Sequence, residues 1–184
     1  MKTMKTTTTA LMLSATVLLG ACVSQKTYNQ EVAKADTYQQ LDNQLKGEVG
    51  ADQAQIQQLQ GLVRVTLANG ILFPEGGYEL NAAGKATLAK LAPVLKTLTG
   101  QTIVIKGYTD NVPIGAELRQ RFPTNVDLSK ARAQSVANEL VAGGVPPSMI
   151  SVAGFGDADP VAPNDTPAGR AKNRRVVMDI VEAK

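Results

Sequence analysis

The sequence predicts an α/β fold, a two-layer sandwich in which helices pack on a small mixed β-sheet, preceded by a helical tether. Three observations lead to this prediction. From residue 61 onward, short strand-like runs alternate with helical patterns, and the connections between them are short. A chain of 184 residues also suffices for one ordinary domain plus an appendage. Because aromatic residues make up only 4% of the chain, we expect an aliphatic core.

The first 21 residues have the pattern of a bacterial signal peptide. Lys2 and Lys5 give a positive start, an apolar run occupies residues 10–19, and small residues follow. The run is shorter than the roughly 20 apolar residues of a membrane-spanning helix. The tetrapeptide Leu-Gly-Ala-Cys that ends at Cys22 resembles the lipobox of exported lipoproteins, which implies cleavage before the cysteine and its acylation. An ordinary secretory leader with an incidental cysteine is the alternative.

Lipidation of Cys22 would anchor the mature chain to a membrane, because several acyl chains hold far more firmly than one. It would also remove an unpaired thiol from an oxidising compartment. Val23 follows the cysteine where inner-membrane lipoproteins of enteric bacteria usually carry Asp. The resemblance therefore implies the outer membrane, with the protein facing the periplasm.

The composition excludes several classes of function. The chain has no histidine, which is the commonest general base and metal ligand, and Cys22 is its only cysteine. We therefore expect no metal, no cofactor and no enzymatic activity. Of the 19 basic residues, Lys2 and Lys5 lie in the leader, and the remaining 17 stand against 16 acidic residues. That balance does not recruit nucleic acid.

Residues 22–60 are predicted to form the lipidated N-terminus and a glutamine-rich helical tether. From Ser24 to Gln60 there are ten glutamines and no proline, and apolar residues recur three, four or seven positions apart. A helix of about 37 residues would be about 55 Å long. Its thin apolar stripe leaves two interpretations open: a solvated spacer, or a helix that self-associates or binds another envelope protein.

The globular domain is predicted to span residues 61–184. Residues 63–67 alternate like a half-buried strand, and Asn69 and Gly70 offer a turn after it. Asn81 can cap a helix that carries leucines on one face. Further strands are predicted at 101–109, 150–152 and 175–181, and a second helix at 128–141.

Three motifs of this domain form a constellation. They are Gly107-Tyr108-Thr109-Asp110-Asn111 at a strand end, Asn125-Val-Asp127-Leu128-Ser129-Lys130-Ala131-Arg132-Ala133 at a helix start, and Gly169-Arg170-Ala171-Lys172-Asn173-Arg174-Arg175-Val176 before the last strand. Their order and spacing, over about residues 63–182, resemble the OmpA-like peptidoglycan-binding domain, of the OmpA and MotB C-terminal type.

In that family the ligand is the diaminopimelate of the peptidoglycan stem peptide, whose side chain ends in an ammonium and a carboxylate on one carbon. The resemblance implies that Asp110 takes the ammonium and that Arg132 takes the carboxylate through its planar two-donor fork. Asn125 would bond the peptide or hold the loop. The residues around Thr109 and Leu128 would offer backbone groups.

Arg132 also has support from its position in the predicted helix. Leu128, Arg132, Val136 and Leu140 are spaced by four, so they share one side of that helix. An arginine on an apolar side needs an anionic partner. A purely structural ion pair between Asp110 and Arg132 is the alternative.

Two features of the predicted site stay open. Of Arg174 and Arg175, one would order the loop before the last strand and the other would face the ligand, and Arg174 is counted with the site.

Residues 112–124 lengthen the loop after the first motif, a variant that resembles the domain of flagellar stator proteins. Arg119 and Arg121 in this loop would touch glycan or a second protein. No spanning helix of the stator type is visible in the sequence.

Together these features predict an outer-membrane lipoprotein that binds peptidoglycan noncovalently and so tethers the membrane to the cell wall. The alternative is a scaffold or signalling lipoprotein of the envelope. In that case the helical segment would engage another protein, and wall binding would be a regulatory input.

Overall fold

The computed structural model describes residues 25–45, 54–59 and 61–183 of the chain. The predicted signal peptide and Cys22 lie outside these ranges, so their roles stay predictions. No helix within the described ranges is both long and apolar enough to cross a membrane. In chain order the elements are α1 (Gln25–Leu45), β1 (Ala54–Leu59), β2 (Leu62–Ala68), α2 (Asn69–Leu72), α3 (Ala82–Leu95), β3 (Gln101–Tyr108), α4 (Ala116–Arg119), α5 (Asn125–Ala142), a 3-10 turn (Pro147–Met149), β4 (Ile150–Gly154), α6 (Pro167–Asn173) and β5 (Arg175–Glu182).

The five strands form one sheet in the order β1-β2-β5-β3-β4. Neighbouring strands are antiparallel except β3 and β4, which are parallel and are connected through α5. A parallel pair requires such a crossover, because the chain must return to the same end of the sheet. The last strand, β5, lies between β2 and β3, and most of its residues are buried on both faces. The predicted α/β sandwich with a mixed sheet is confirmed.

The hydrophobic core lies between one face of the sheet and the helices. Leu88, Leu91 and Leu95 of α3 are fully buried, as the leucine spacing predicts. The predicted cap of α3 is also present, because Asn81 Oδ1 accepts a hydrogen bond from the N–H of Gly84 at 2.7 Å. Among the buried residues of the described chain the core is aliphatic apart from one phenylalanine.

The N-terminal segment differs from the predicted tether in its second half. The helix expected over residues 22–60 is present at 25–45, but residues 54–59 form the edge strand β1, which pairs antiparallel with β2. The predicted helix over 54–59 is therefore wrong. β1 satisfies the backbone groups along one edge of β2, which would otherwise lie unpaired at the edge of the sheet. The boundary predicted at residue 61 falls between these two paired strands.

Helix α1 is packed on the domain along part of its length. Leu41 is fully buried in the core, and Tyr38 packs against the same cluster. Lys34 Nζ lies 3.2 Å from a carboxylate oxygen of Glu182, at the end of β5. The C-terminal half of α1 is therefore a docked element of the fold and does not form the free spacer that its thin apolar stripe allows.

Candidate functional site

Close backbone contacts fix the start of α5 against the ends of β3 and β4. A Cβ atom at Gly107 would lie 1.9 Å from the carbonyl oxygen of Ser129, and one at Gly154 would lie 2.4 Å from that of Val126. Glycine is therefore required at both positions. The buried Ser129 hydroxyl accepts a hydrogen bond from the N–H of Gly156 at 2.9 Å. These contacts hold the second motif beside the first.

The beginning of α5 is closed by a capping box and linked to the loop after β3. The hydroxyl of Thr124 accepts from the N–H of Asp127 at 3.2 Å, and the Asp127 carboxylate accepts from the N–H of Thr124 at 3.1 Å. The Asn125 side-chain amide donates to the carbonyl oxygens of Asp110 and Val112, at 3.4 and 3.2 Å. Asn125 therefore holds the loop, which is one of the two roles that the resemblance implies for it.

All six predicted site residues line one cavity of about 650 Å³. The sequence also did not point to several further side chains that line it, among them Asn69, Phe73, Glu75 and Arg170. Of these, only Arg170 belongs to a motif. No cluster of three carboxylate, cysteine or histidine side chains in the described part of the chain could hold a metal ion. The six predicted residues are Thr109, Asp110, Asn125, Leu128, Arg132 and Arg174.

Arg132 is a buried cation in the cavity wall. Its side chain lies 5.8 Å from the ring centre of Phe73, and its Nε donates to the carbonyl oxygen of Gly77 at 2.9 Å. Burial lowers the pKa of Arg132 to about 10, the nearby Arg174 adds to the lowering, and Asp110 opposes it. The guanidinium therefore stays charged at neutral pH, although the residue is only 4% exposed. No carboxylate of the described residues lies within ion-pair distance of it.

Asp110 pairs with Arg174 and not with Arg132. One carboxylate oxygen of Asp110 accepts from Arg174 Nη1 at 2.6 Å, and the other accepts from the N–H of Val112 at 3.1 Å. The structural ion pair considered between Asp110 and Arg132 is therefore absent. Asp110 is a buried carboxylate that is anchored on both oxygens, and it keeps lone pairs that can accept from a ligand cation.

The two adjacent arginines lie on opposite sides of the sheet. Arg174 reaches the cavity, whereas Arg175, the first residue of β5, stacks on the Tyr108 ring at 3.9 Å from its centre. Arg175 also donates to the carbonyl oxygens of Asn173 and Asp159, at 3.1 and 2.9 Å. Arg175 thus orders the chain before β5, and Arg174 is the arginine that lines the cavity.

The backbone N–H groups of Thr109 and Leu128 are used within the fold. The N–H of Thr109 donates to the carbonyl oxygen of Gly156 at 2.7 Å, and that of Leu128 donates to Thr124 at 3.1 Å. Both N–H groups therefore serve the fold, and the expectation that residues around these two positions offer backbone groups to a ligand stays a prediction. The buried Thr109 hydroxyl has no hydrogen-bond partner among the described residues.

The lengthened loop forms one wall of the cavity. Residues 112–115 and Leu118 line it, whereas Arg119 and Arg121 do not. Arg119 donates to the carbonyl oxygen of Ile114 at 2.8 Å and so braces the loop from within. Arg121 hydrogen-bonds the hydroxyl of Tyr78 and lies 4.6 Å from the centre of its ring. Both arginines thus contribute to the shape of the wall and not to its lining.

Comparison with known sequences finds relatives of this domain. Residues 72–174 match the model of the OmpA family. The peptidoglycan-binding protein ArfA of Mycobacterium tuberculosis is 40% identical over 118 residues, which cover 64% of this chain and 34% of ArfA. The outer-membrane lipoprotein YfiB of Pseudomonas aeruginosa is 37% identical over 112 residues, which cover 61% of this chain and 62% of YfiB. The chain thus spans about a third of ArfA and less than two thirds of YfiB.

Comparison with solved structures extends the likeness to the fold. A MotB-like protein from Desulfovibrio vulgaris superposes with a TM-score of 0.74 at 27% identity, over 84% of this chain and 99% of that chain. The family match begins in α2 and ends at Arg174, so it contains all six residues of the cavity that the sequence predicted. Because that match covers more than half of the chain, this protein belongs to the OmpA family.

Proposed function

We propose that this protein binds peptidoglycan noncovalently, through the diaminopimelate of the stem peptide. The observation that carries the proposal is Arg132, a buried guanidinium without a carboxylate partner, in the same cavity as the anchored carboxylate of Asp110. A desolvated cation is unfavourable unless an anion pairs with it. The diaminopimelate side chain ends in an ammonium and a carboxylate on one carbon, so it matches both groups together.

The similarity to known proteins supports the same ligand. ArfA is a peptidoglycan-binding protein by name, and the six predicted cavity residues of this chain fall within the region that matches the OmpA family. In the proposed complex Arg132 donates two parallel hydrogen bonds to the ligand carboxylate. Asp110 accepts from the ligand ammonium while Arg174 holds the carboxylate in place, and Asn125 fixes the loop that carries Asp110.

A pull-down on purified cell-wall sacculi tests this proposal. Asp110→Ala and Arg132→Ala should each weaken binding by about 2–5 kcal/mol, or about thirtyfold to several thousandfold, because each leaves a buried charge unpaired. The matched controls are Asp157→Ala and Lys85→Ala, which remove an exposed carboxylate and an exposed cation that do not line the cavity. Unchanged binding by both cavity variants would contradict the assignment of the site.

The ligand is tested with soluble tripeptides. A stem tripeptide that ends in diaminopimelate should bind, whereas one that ends in lysine lacks the carboxylate for Arg132 and should bind at least tenfold more weakly, or about 1.4 kcal/mol. Equal affinity for both peptides would exclude recognition of the carboxylate. Arg132→Ala should abolish the difference between them.

We also propose that the protein is an outer-membrane lipoprotein anchored through Cys22 that faces the periplasm and tethers the membrane to the wall. The lipobox-like sequence before Cys22 and the similarity to the outer-membrane lipoprotein YfiB support this location. Palmitate labelling and membrane fractionation of the Cys22→Ser variant test it. Release of the variant from the outer-membrane fraction is expected, and retention would contradict the lipid anchor.

The proposed activity is attachment without cleavage of the wall. The chain has no histidine, and the proposed acylation of Cys22 removes its only thiol. Sacculi incubated with the protein should therefore release no muropeptides above a buffer control. Release that Asp110→Ala abolishes would mean that the cavity is catalytic.

A second candidate function is recruitment of another envelope protein by α1. Tyr28 and Val32 lie one helical turn apart and are 60% and 42% exposed, in the part of α1 that precedes its docked half. Crosslinkers placed at these two positions in cells would capture a protein partner under this hypothesis. Capture of only lipid and wall would disfavour it.

A further inference from the structure

The sheet has a second cavity on the face opposite the helices. Its volume is about 1060 Å³, and the strands β1, β2, β3 and β5 form its floor. Arg64 and Thr66 of β2 reach into it, because they alternate along the strand with residues that face the core. Residues 159–161 and Lys172 of α6 border it. We call this cavity the sheet groove.

The sheet groove has a surplus of positive charge. Its lining includes Arg64, Lys106, Lys172 and Arg175, and among the described residues the lining contains one carboxylate, Asp159. Long cationic side chains on a concave surface raise the local concentration of anionic groups. The groove is therefore complementary to an acidic ligand.

One buried carboxylate beneath the groove compensates only part of this charge. Asp179 accepts from Arg64 at 2.6 and 2.8 Å and from Lys106 at 2.8 Å. Two cations thus share a single negative charge. Lys172 is exposed beside them, so the groove keeps a net positive charge after this pairing.

We propose that the sheet groove docks an extended acidic segment of a partner protein. An extended chain suits a floor of strands, because polar side chains along β1 and β2, such as Gln57 and Thr66, can bond its backbone while the cations bind its carboxylates. A glycan fits less well. Sugars stack on open aromatic faces, whereas the Tyr108 ring is 7% exposed and is covered by Arg175.

The sheet groove and the cavity that contains Asp110 and Arg132 lie near the ends of the same strands but open on opposite faces of the sheet. Tyr108 and Arg175 line the groove, whereas their chain neighbours Thr109 and Arg174 line the cavity. An acidic partner could therefore occupy the groove while a stem peptide occupies the cavity. This docking does not depend on the proposed wall binding.

The test is fluorescence anisotropy of a labelled octaglutamate peptide with the full-length protein in nonionic detergent. Binding is expected at about 0.05 M salt, and it should weaken at about 0.3 M because salt screens exposed charges. The double variant Thr66→Glu with Lys172→Glu should lose about tenfold or more in affinity, because it places like charges along the ligand. Lys85→Glu is the control, since it changes an exposed lysine on α3 outside the groove.

Three outcomes would overturn the proposal. One is equal loss of affinity in the double variant and in Lys85→Glu, which would indicate nonspecific attraction. Another is the absence of octaglutamate binding at the lower salt concentration. The third is displacement of the peptide by an uncharged chitin oligosaccharide, which would identify the groove as a glycan site. The circular dichroism spectrum and the Tm of the double variant should match those of the wild type, which shows that the variant folds.

Discussion

Replacing Arg132 with methionine is expected to stabilise the ligand-free protein slightly and to abolish wall binding. The guanidinium is buried without a carboxylate partner, so its burial costs the ligand-free fold stability that the carboxylate of the proposed ligand would restore. Methionine has a similar length and is apolar. Replacement of a buried charge by an apolar side chain of similar volume is often neutral or stabilising.

The size of the effect follows from two opposing contributions. Burial lowers the pKa of Arg132 to about 10, which corresponds to a cost of about 3 kcal/mol for the charged form, at about 1.4 kcal/mol for each pH unit. The substitution also removes the hydrogen bond to the half-buried Gly77, and a hydrogen bond to a charged group contributes about 1.5–3 kcal/mol. A gain of about 1 kcal/mol is therefore expected, or about 2–4 °C in Tm for a protein of this size.

Urea unfolding and sacculus pull-down measure the two sides of this prediction. The matched control is Arg119→Met, because Arg119 is exposed and also donates one hydrogen bond to a backbone carbonyl. It should lose up to about 1 kcal/mol, since no burial cost is relieved. If Arg132→Met instead loses more than about 1 kcal/mol at an unchanged m value, the guanidinium stabilises the free protein and the reasoning is refuted.

Three further predictions concern the fold that supports the site. Leu41→Ala should lower the free energy of unfolding by about 2–5 kcal/mol and Val32→Ala by less than about 0.5 kcal/mol, because only Leu41 is fully buried. Equally small effects of both substitutions in chemical denaturation would mean that α1 is not docked. Gly107→Ala should cost at least about 2 kcal/mol in thermal unfolding, since its Cβ would lie 1.9 Å from the Ser129 carbonyl oxygen; an alanine variant of wild-type stability would contradict the close approach. Burial alone would raise the pKa of Asp179, but hydrogen bonds from two cations outweigh burial and lower that pKa. The ionised Asp179 therefore stabilises the folded protein fully above the unfolded pKa of about 4, and this stabilisation is lost as the pH falls through the folded pKa. Urea unfolding from about pH 6 to about pH 3 should therefore show a smaller acid loss in Asp179→Asn than in the wild type, and parallel curves would count against this assignment.

Local patterns predicted most of the domain but not the order or the edge of its sheet. Apolar spacing, alternation and turn residues, which neighbouring positions determine, predicted the other four strands and the long helices α1, α3 and α5, but not the short helices α2, α4 and α6. β1 was missed because its apolar residues fit two periods. Ile56 and Leu59 are three apart, as in a helix, whereas Ala54 and Ile56 are two apart, as in a strand. Pairing with β2 decides between them, and that interaction is not local.

The site was predicted from its motifs, whereas its charge pairing was not. Asp110 and Arg174 are 64 positions apart and meet only because β5 lies beside β3 in the sheet. The sequence could have assigned Arg174 and Arg175 to opposite faces of the sheet, because consecutive residues at a strand end point to opposite faces. The Gly77 carbonyl that accepts from Arg132 had none, because a backbone oxygen leaves no mark on the sequence.

The docked half of α1 limits the distance between a membrane anchored at Cys22 and the proposed wall-binding cavity. Lys34 is fixed to Glu182 and Leu41 is buried, so the helix from Lys34 onward moves with the domain. The nine helical steps from Gln25 to Lys34 rise about 14 Å, and the three positions back to Cys22 add at most about 11 Å. A lipid on Cys22 would thus hold Lys34 within about 25 Å of the membrane, whereas the predicted free helix would reach about 55 Å. Wall binding at a greater distance requires α1 to undock and expose Leu41, so Leu41→Ala should lengthen the reach at the expense of stability.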